Sequence, residues 1–157
     1  MKKNIKSILV YVDTSVFGGV FDEEFKSDSI RFFELVNKRY FKIVTSYVVK
    51  EEIDLANIKV RTFFNSLTDE MVYYEATNEA TFLRNQYIKA GILTENSLSD
   101  ALHVAIASTS QTPLIISWNF KHLVNFQKIP LFNAVNLSFG YTNIGIYSPK
   151  EVIEYEG

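Results

Sequence analysis

The chain has 157 residues, with 16 Lys+Arg against 18 Asp+Glu and a formal net charge of -2. The length suits a single domain over residues 1–157, large enough to bury most of its apolar surface. The charge balance excludes a strongly basic nucleic-acid scavenger and an acidic solvating tail, so any nucleic-acid binding would need a local basic patch. There is no Cys and there are only 2 His. This excludes a disulfide framework, a thiolate zinc site, a Cys nucleophile and a His-built metal centre. Any metal would be a hard cation on oxygen ligands, Mg²⁺ or Mn²⁺.

Met1 to Lys6 is basic, and the apolar run after it, Ile8 to Val12, is stopped by Asp13. That run is too short for a signal peptide. Nothing approaches the ~20 apolar residues of a membrane span. A cytoplasmic protein with no membrane contact is the expectation. The run itself suits a strand buried on both faces. From Asp28 to Tyr40, Ile30, Phe33, Leu35 and Val36 recur at helical spacing. Lys42 to Thr45 is rich in β-branched residues and predicts a second strand. Val48 to Ala56 and Ile58 to Leu67 predict two helices, and Met71 to Tyr74 a third strand. Asn78 to Ala90 predicts a helix with Gly91 at its C-terminal cap. Ser97 to Thr109 predicts another, and Leu114 to Ser117 a strand opened by Pro113. Asn119 to Asn125 predicts a short helix, and a last strand-like segment falls between Leu131 and Tyr147. Alternating strands and helices imply an α/β three-layer sandwich, with a mainly parallel central sheet flanked by helices.

In such sheets function lies beyond the carboxyl ends of the strands, at a topological switch point. Asp13-Thr14-Ser15 follows the first strand. Thr45-Ser46 ends the second, and Glu51 and Glu52 lie on the next helix. Asp100 stands early in the helix from Ser97, and Ser117-Trp118-Asn119 ends the strand from Pro113. Local roles stay open for each. Asp13, Thr14 or Ser15 could cap a turn. Ser97 and Asp100 fit a capping box. Glu51 and Glu52 favour the helix dipole, and Asn119 is a good N-cap.

Four segments, taken in order, resemble the motifs of PIN-domain proteins. They are the hydrophobic strand with Asp13-Thr14-Ser15-Val16, then Thr45 to Ile53, then Leu98 to Ala107 around Asp100, and Leu114 to Leu123 around Ser117 and Asn119. Together they cover most of the chain. The resemblance implies a PIN-like fold and a Mg²⁺- or Mn²⁺-dependent endoribonuclease cleaving single-stranded RNA. Many small members resemble VapC-type toxins of toxin–antitoxin pairs, which implies an RNA substrate, an antitoxin protein partner and a homo-oligomer. It places metal-binding acids at Asp13, Glu52 and Asp100, with Glu51 the alternative to Glu52 and Asn119 completing the catalytic set. Ser15 and Ser117 match its small hydroxyl residues. Asn119 stands where the family usually has a fourth acid, and Lys121 where a further Asp is common. The second reading is therefore a PIN-like module that holds RNA or a partner without cutting.

The chemistry explains the acids. Phosphodiester hydrolysis needs a nucleophilic water and a stabilised leaving oxygen, and a bound hard cation supplies both. Bunched carboxylates without a cation raise one another's pKa. Around them, apolar neighbours favour His103 as a core histidine over a catalytic base. His122 could contact phosphate or be solvated. Arg84, Lys89, Lys121, His122 and Lys128 could rim the site, each also reading as ordinary surface. Trp118 and Phe120 flank Asn119; an exposed aromatic there could stack a base, with core packing favoured for Phe120. Phe17, Phe21 and Phe25 could form an apolar groove.

Overall fold

The computed structural model describes residues 6–155; residues 1–5 of the basic start lie outside the described residues. The described strands are β1 (Ile8–Val12), β2 (Phe41–Ser46), β3 (Val72–Tyr74), β4 (Leu114–Ile116) and β5 (Gly145–Tyr147). They form one sheet in the order β3-β2-β1-β4-β5, and every neighbouring pair is parallel. The order runs outward from β1 in both directions. Successive connections after β1 and into β4 therefore leave toward opposite sides, and a crevice opens between the carboxyl ends of these two strands.

Helices α1 (Thr14–Gly19) and α2 (Lys26–Asn37) join β1 to β2, and α3 (Tyr47–Asp54) and α4 (Ile58–Ser66) lead toward β3. The crossover to β4 contains α5 (Asn78–Lys89) and α6 (Leu98–Thr109). Then come α7 (Ile129–Ser138), before β5, and α8 (Pro149–Val152). Helix α5 packs on α6 and α7, while α1 packs on α2 and α4, and α8 on α2. The result is the expected three-layer α/β sandwich, with a wholly parallel sheet.

Local chemistry sets the boundaries. Thr77 accepts a hydrogen bond from Ala80 N and caps α5, and Gly91 beyond its end has φ +76°, a conformation that favours glycine. Phe17 lies at the centre of one apolar layer, with Phe33 at 5.4 Å and Phe64 at 4.9 Å between ring centroids. In the other layer Tyr87 packs edge-on to Phe132. Its hydroxyl donates to Asn136 Oδ1, and Asn136 Nδ2 donates to Ser108 Oγ at 2.9 Å. Gly19 marks a close approach: a Cβ there would lie 2.5 Å from Ser29 Oγ and 2.9 Å from Trp118 Nε1.

The structure corrects several sequence expectations. Residues 119–125 form turns and no helix. Asn119 closes a single turn, accepting from His122 N with its side chain and from Leu123 N and Val124 N with its carbonyl. Asn125 then turns its Oδ1 to Gln127 N and Lys128 N, which competes with helix continuation. In the strand-like stretch from Leu131 to Tyr147, residues 131–138 belong to helix α7 and the strand is confined to Gly145–Tyr147. Its dense apolar residues blur the two periods, and burial of Phe132 and Asn136, four apart, shows the helical one. Helix α1 escaped notice because it is six residues long and ends in two glycines. Of the three phenylalanines expected in a groove, Phe17 is buried and Phe25 stacks on Trp118. Phe21 is exposed and lines a groove of about 400 Å³ with Ile58 and Phe63. Among the described residues, no helix is long and apolar enough to cross a membrane.

Candidate active site

Asp13 immediately follows β1 and is 5% exposed. It stands at the N-terminus of α1, yet its side chain makes no capping bond. Its Oδ2 instead accepts hydrogen bonds from the hydroxyls of Ser15 and Ser117, each at 2.8 Å. Asp13 N also donates to Ile116 O at 3.0 Å, so the β1–β4 pairing itself sets the carboxylate in the crevice. The two serines are anchored in turn. Trp118 N donates to Ser15 Oγ at 3.0 Å, and Asn119 N to Ser117 Oγ at 2.9 Å.

Glu52, on α3, meets the same crevice through His103 of α6. His103 Nε2 lies 2.5 Å from Glu52 Oε1 and 3.9 Å from Asp13 Oδ1. His103 Nδ1 lies 2.6 Å from the Tyr11 hydroxyl, which in turn lies 2.7 Å from Ser46 Oγ. Ser46 caps α3 by accepting from Val49 N. A line of hydrogen bonds thus runs from the cap of α3 through the buried Tyr11 and His103 to the part-exposed carboxylate of Glu52. Burial works to drive the His103 imidazole toward its neutral form. The hydrogen bond to Glu52 and the charges of Asp13, Glu52 and Asp100 outweigh it, and its pKa is raised above the usual histidine value. Burial, with the charges of Asp13 and Glu52, pushes the Tyr11 hydroxyl well above the usual phenol range, against the Ser46 hydrogen bond.

Asp100 lies in the first turn of α6 but forms no capping box with Ser97, which makes no side-chain cap there. Its Oδ2 lies 2.7 Å from His122 Nδ1. Asn119 is neighbour to both systems, with its N–H on Ser117 and its Oδ1 on His122 N, so its amide oxygen is engaged as a cap. Glu51 is exposed on the surface of α3. Lys121 is exposed as well, and Lys128 Nζ donates to Ile92 O.

The structure therefore brings Asp13 and Glu52 to one histidine, His103, and pairs Asp100 with the other, His122. His103 is buried as sequence reasoning favoured, but it bridges two of the acids, and His122 holds the third. Neither pairing was foreseen, because the partners are far apart in the chain: 51 residues for His103 and Glu52, 22 for His122 and Asp100. The spacing of Asp100 and His103 on α6 was the available signal. One oxygen of each carboxylate is engaged. The other, Asp13 Oδ1, Glu52 Oε2 and Asp100 Oδ1, has no hydrogen-bond donor among the described residues. Among the described residues, no three acidic or histidine side chains make a ready metal cage. The donor set still fits a Mg²⁺-like ion, which takes one or two carboxylates and keeps its other positions for water and substrate phosphate.

No protein-family model matches the chain, and no curated protein matches it. Solved structures share its fold. VapBC2 from Rickettsia felis, bound to a DNA fragment from its promoter, matches with TM-score 0.60 at 14% identity, covering 90% of this chain and 98% of that one. VapC20 of Mycobacterium tuberculosis, described as a Sarcin-Ricin loop cleaving toxin, gives 0.57 at 13% identity, over 86% and 98%. VapBC-1 from nontypeable Haemophilus influenzae gives 0.57 at 16%, over 91% and 99%. The chain has the PIN-like fold that its motifs led one to expect.

Proposed function

We propose that the chain is a metal-dependent endoribonuclease acting on single-stranded RNA, and the toxin member of a toxin–antitoxin pair. The observation that carries the reading is that Asp13 and Glu52 share one buried histidine, His103, while Asp100 is paired with His122, each acid keeping one oxygen without a donor among the described residues. Asp13 and Asp100 are the residues we assign to hold Mg²⁺ or Mn²⁺, with Glu52 completing the set. When bound, such an ion supplies charge neutralisation at the phosphate and a water acidic enough to attack at neutral pH.

The chain's own residues do the positioning. Ser15 and Ser117 occupy Asp13 Oδ2 and leave Oδ1 as its binding atom. His103 fixes Glu52 through Oε1, so that Oε2 accepts a proton from the attacking water. His122 orients Asp100 in the same way through Oδ2. Attack by water forms a new P–O bond and breaks the bond to the 3′ oxygen, which takes up the proton. The products carry a 5′-phosphate and a 3′-hydroxyl. The similar fold of VapC20, described as a Sarcin-Ricin loop cleaving toxin, supports the toxin reading, and the groove beside Phe21, Ile58 and Phe63 suits an apolar segment of an antitoxin partner.

The test is incubation of purified protein with single-stranded RNA and Mn²⁺ or Mg²⁺. Cleavage leaving 5′-phosphates, lost in EDTA and in Asp13→Asn, is the expected result. Products ending in 2′,3′-cyclic phosphate, or cleavage that survives Asp13→Asn, would refute it. A second reading, a module that binds without cutting, is favoured by one observation: the amide oxygen of Asn119 is committed to His122 N. RNA binding with no cleavage in any divalent metal would establish that reading instead.

A further inference from the structure

We infer that Phe120 is a stacking platform for one unpaired base of the RNA, set beside the carboxylates by the loop after β4. This rests on the RNA reading above. Phe120 is 50% exposed, whereas Trp118 is 8% exposed and Leu123 is fully buried. Sequence patterning favoured core packing for it, and the structure turns it outward.

The loop is pinned where it matters. Trp118 N and Asn119 N are bonded to Ser15 and Ser117, the two hydroxyls that also hold Asp13. Phe120 N donates to Trp118 O at 3.0 Å, and two residues on His122 holds Asp100. The phenyl ring therefore projects from a segment tied to the two acids on either side of the crevice. Beneath it lies a fixed aromatic base. The Trp118 ring sits 6.0 Å from Phe120, edge-on, and stacks on Phe25 at 4.3 Å with an interplanar angle of 22°. Trp118 Nε1 is fastened to Ser29 Oγ at 2.8 Å. An exposed ring on a rigid support loses little freedom when a flat partner covers it.

Electrostatics says why a flat, uncharged platform is useful here. The chain is net negative and its crevice is lined by carboxylates, so the phosphate backbone gains little from long-range attraction. Stacking is independent of charge, works on any base, and requires bases free of a duplex. The exposed Lys121 follows Phe120 directly and can meet the adjoining phosphate.

The test uses the full chain as wild type, Phe120→Leu and Phe120→Tyr, with labelled single-stranded oligouridylate and oligoadenylate of about a dozen nucleotides. Binding is followed by anisotropy, and each oligonucleotide is also made with one abasic ribose moved along it. Removing a stacking partner weakens binding by roughly 5- to 100-fold. Phe120→Leu is expected within that range, with Phe120→Tyr restoring wild-type affinity. The most damaging abasic position should cost wild type a similar factor and cost Phe120→Leu almost nothing more. On a cleaved RNA, KM should rise while kcat holds. Equal affinity of wild type and Phe120→Leu, or equal abasic losses in both, overturns the inference. So does unchanged RNA affinity with a changed oligomeric state, which would assign Phe120 to a protein contact. Base-dependent binding without cleavage would keep Phe120 and sink the nuclease reading. A wild type that binds no oligonucleotide removes both.

Discussion

Removing the Ser117 hydroxyl probes how Asp13 is held. Ser117 is fully buried and Asp13 is 5% exposed, so water cannot replace the lost donor. A hydrogen bond to a charged group contributes about 1.5–3 kcal/mol. Ser117→Ala also deprives Asn119 N of its acceptor, and the side-chain volume hardly changes. The expected destabilisation is about 3 kcal/mol, or roughly 6–12 °C in Tm for a domain of this size. Urea unfolding followed by tryptophan emission measures it cleanly, because Trp118 is the only Trp. The decisive comparison is a cycle with Asp13→Ala. In that background Ser117→Ala should cost under about 1 kcal/mol, a coupling near 2 kcal/mol between residues 104 apart in sequence. Independent sites add within about 0.3–0.5 kcal/mol. The same cost in both backgrounds would show that Ser117 stabilises the fold without holding Asp13.

Gly19→Ala places a methyl against Ser29 Oγ and Trp118 Nε1; a loss of about 1–3 kcal/mol and a shift in tryptophan emission are expected, and unchanged emission would refute the close approach. Asn136→Leu strips the buried Tyr87 and Ser108 hydroxyls of their shared partner. Thermal unfolding should register a loss of about 2–3 kcal/mol. Asn119→Ala should lose about 1 kcal/mol by freeing His122 N from its side-chain acceptor, whereas Asn119→Asp keeps an acceptor in that turn. Calorimetric titration with Mn²⁺ then asks whether the Asp variant binds metal more tightly, as added negative charge beside the cation requires.

The sequence carried the frame of this molecule because buried parallel strands are short apolar runs and their ends are marked by polar residues. Val10 to Val12 and Asp13 illustrate it: three buried apolar positions, then the acid. Asp100 was legible as an acid at a helix start, but its purpose was not, since a capping box and a histidine partner leave the same local pattern. His103 looked like a core residue because its chain neighbours are apolar; that Tyr11 and Glu52 flank its two nitrogens is a property of the folded chain alone. The segment after β4 misled for a related reason. Phe120 carries the hydrophobicity of a core residue, and only the anchoring of Trp118 and Asn119 to the serines shows why it is held outward.

The pairing of β1 with β4 has a consequence for synthesis and folding. Asp13 meets Ser117 across 104 residues, and Tyr11 meets His103 across 92. Contacts of such long sequence separation must bear the full entropy of loop closure before they return any stability, so they form late and slowly. A ribosome that has released the first three strands has produced a chain with Asp13 and Glu52 but without the hydroxyl and the histidines that arrange them. The constellation of carboxylates, hydroxyls and histidines is complete only after the segment through His122 has emerged and β4 has docked beside β1. On the proposed nuclease reading, a chain stopped before β4 holds no complete site and gains its activity only once β4 has docked.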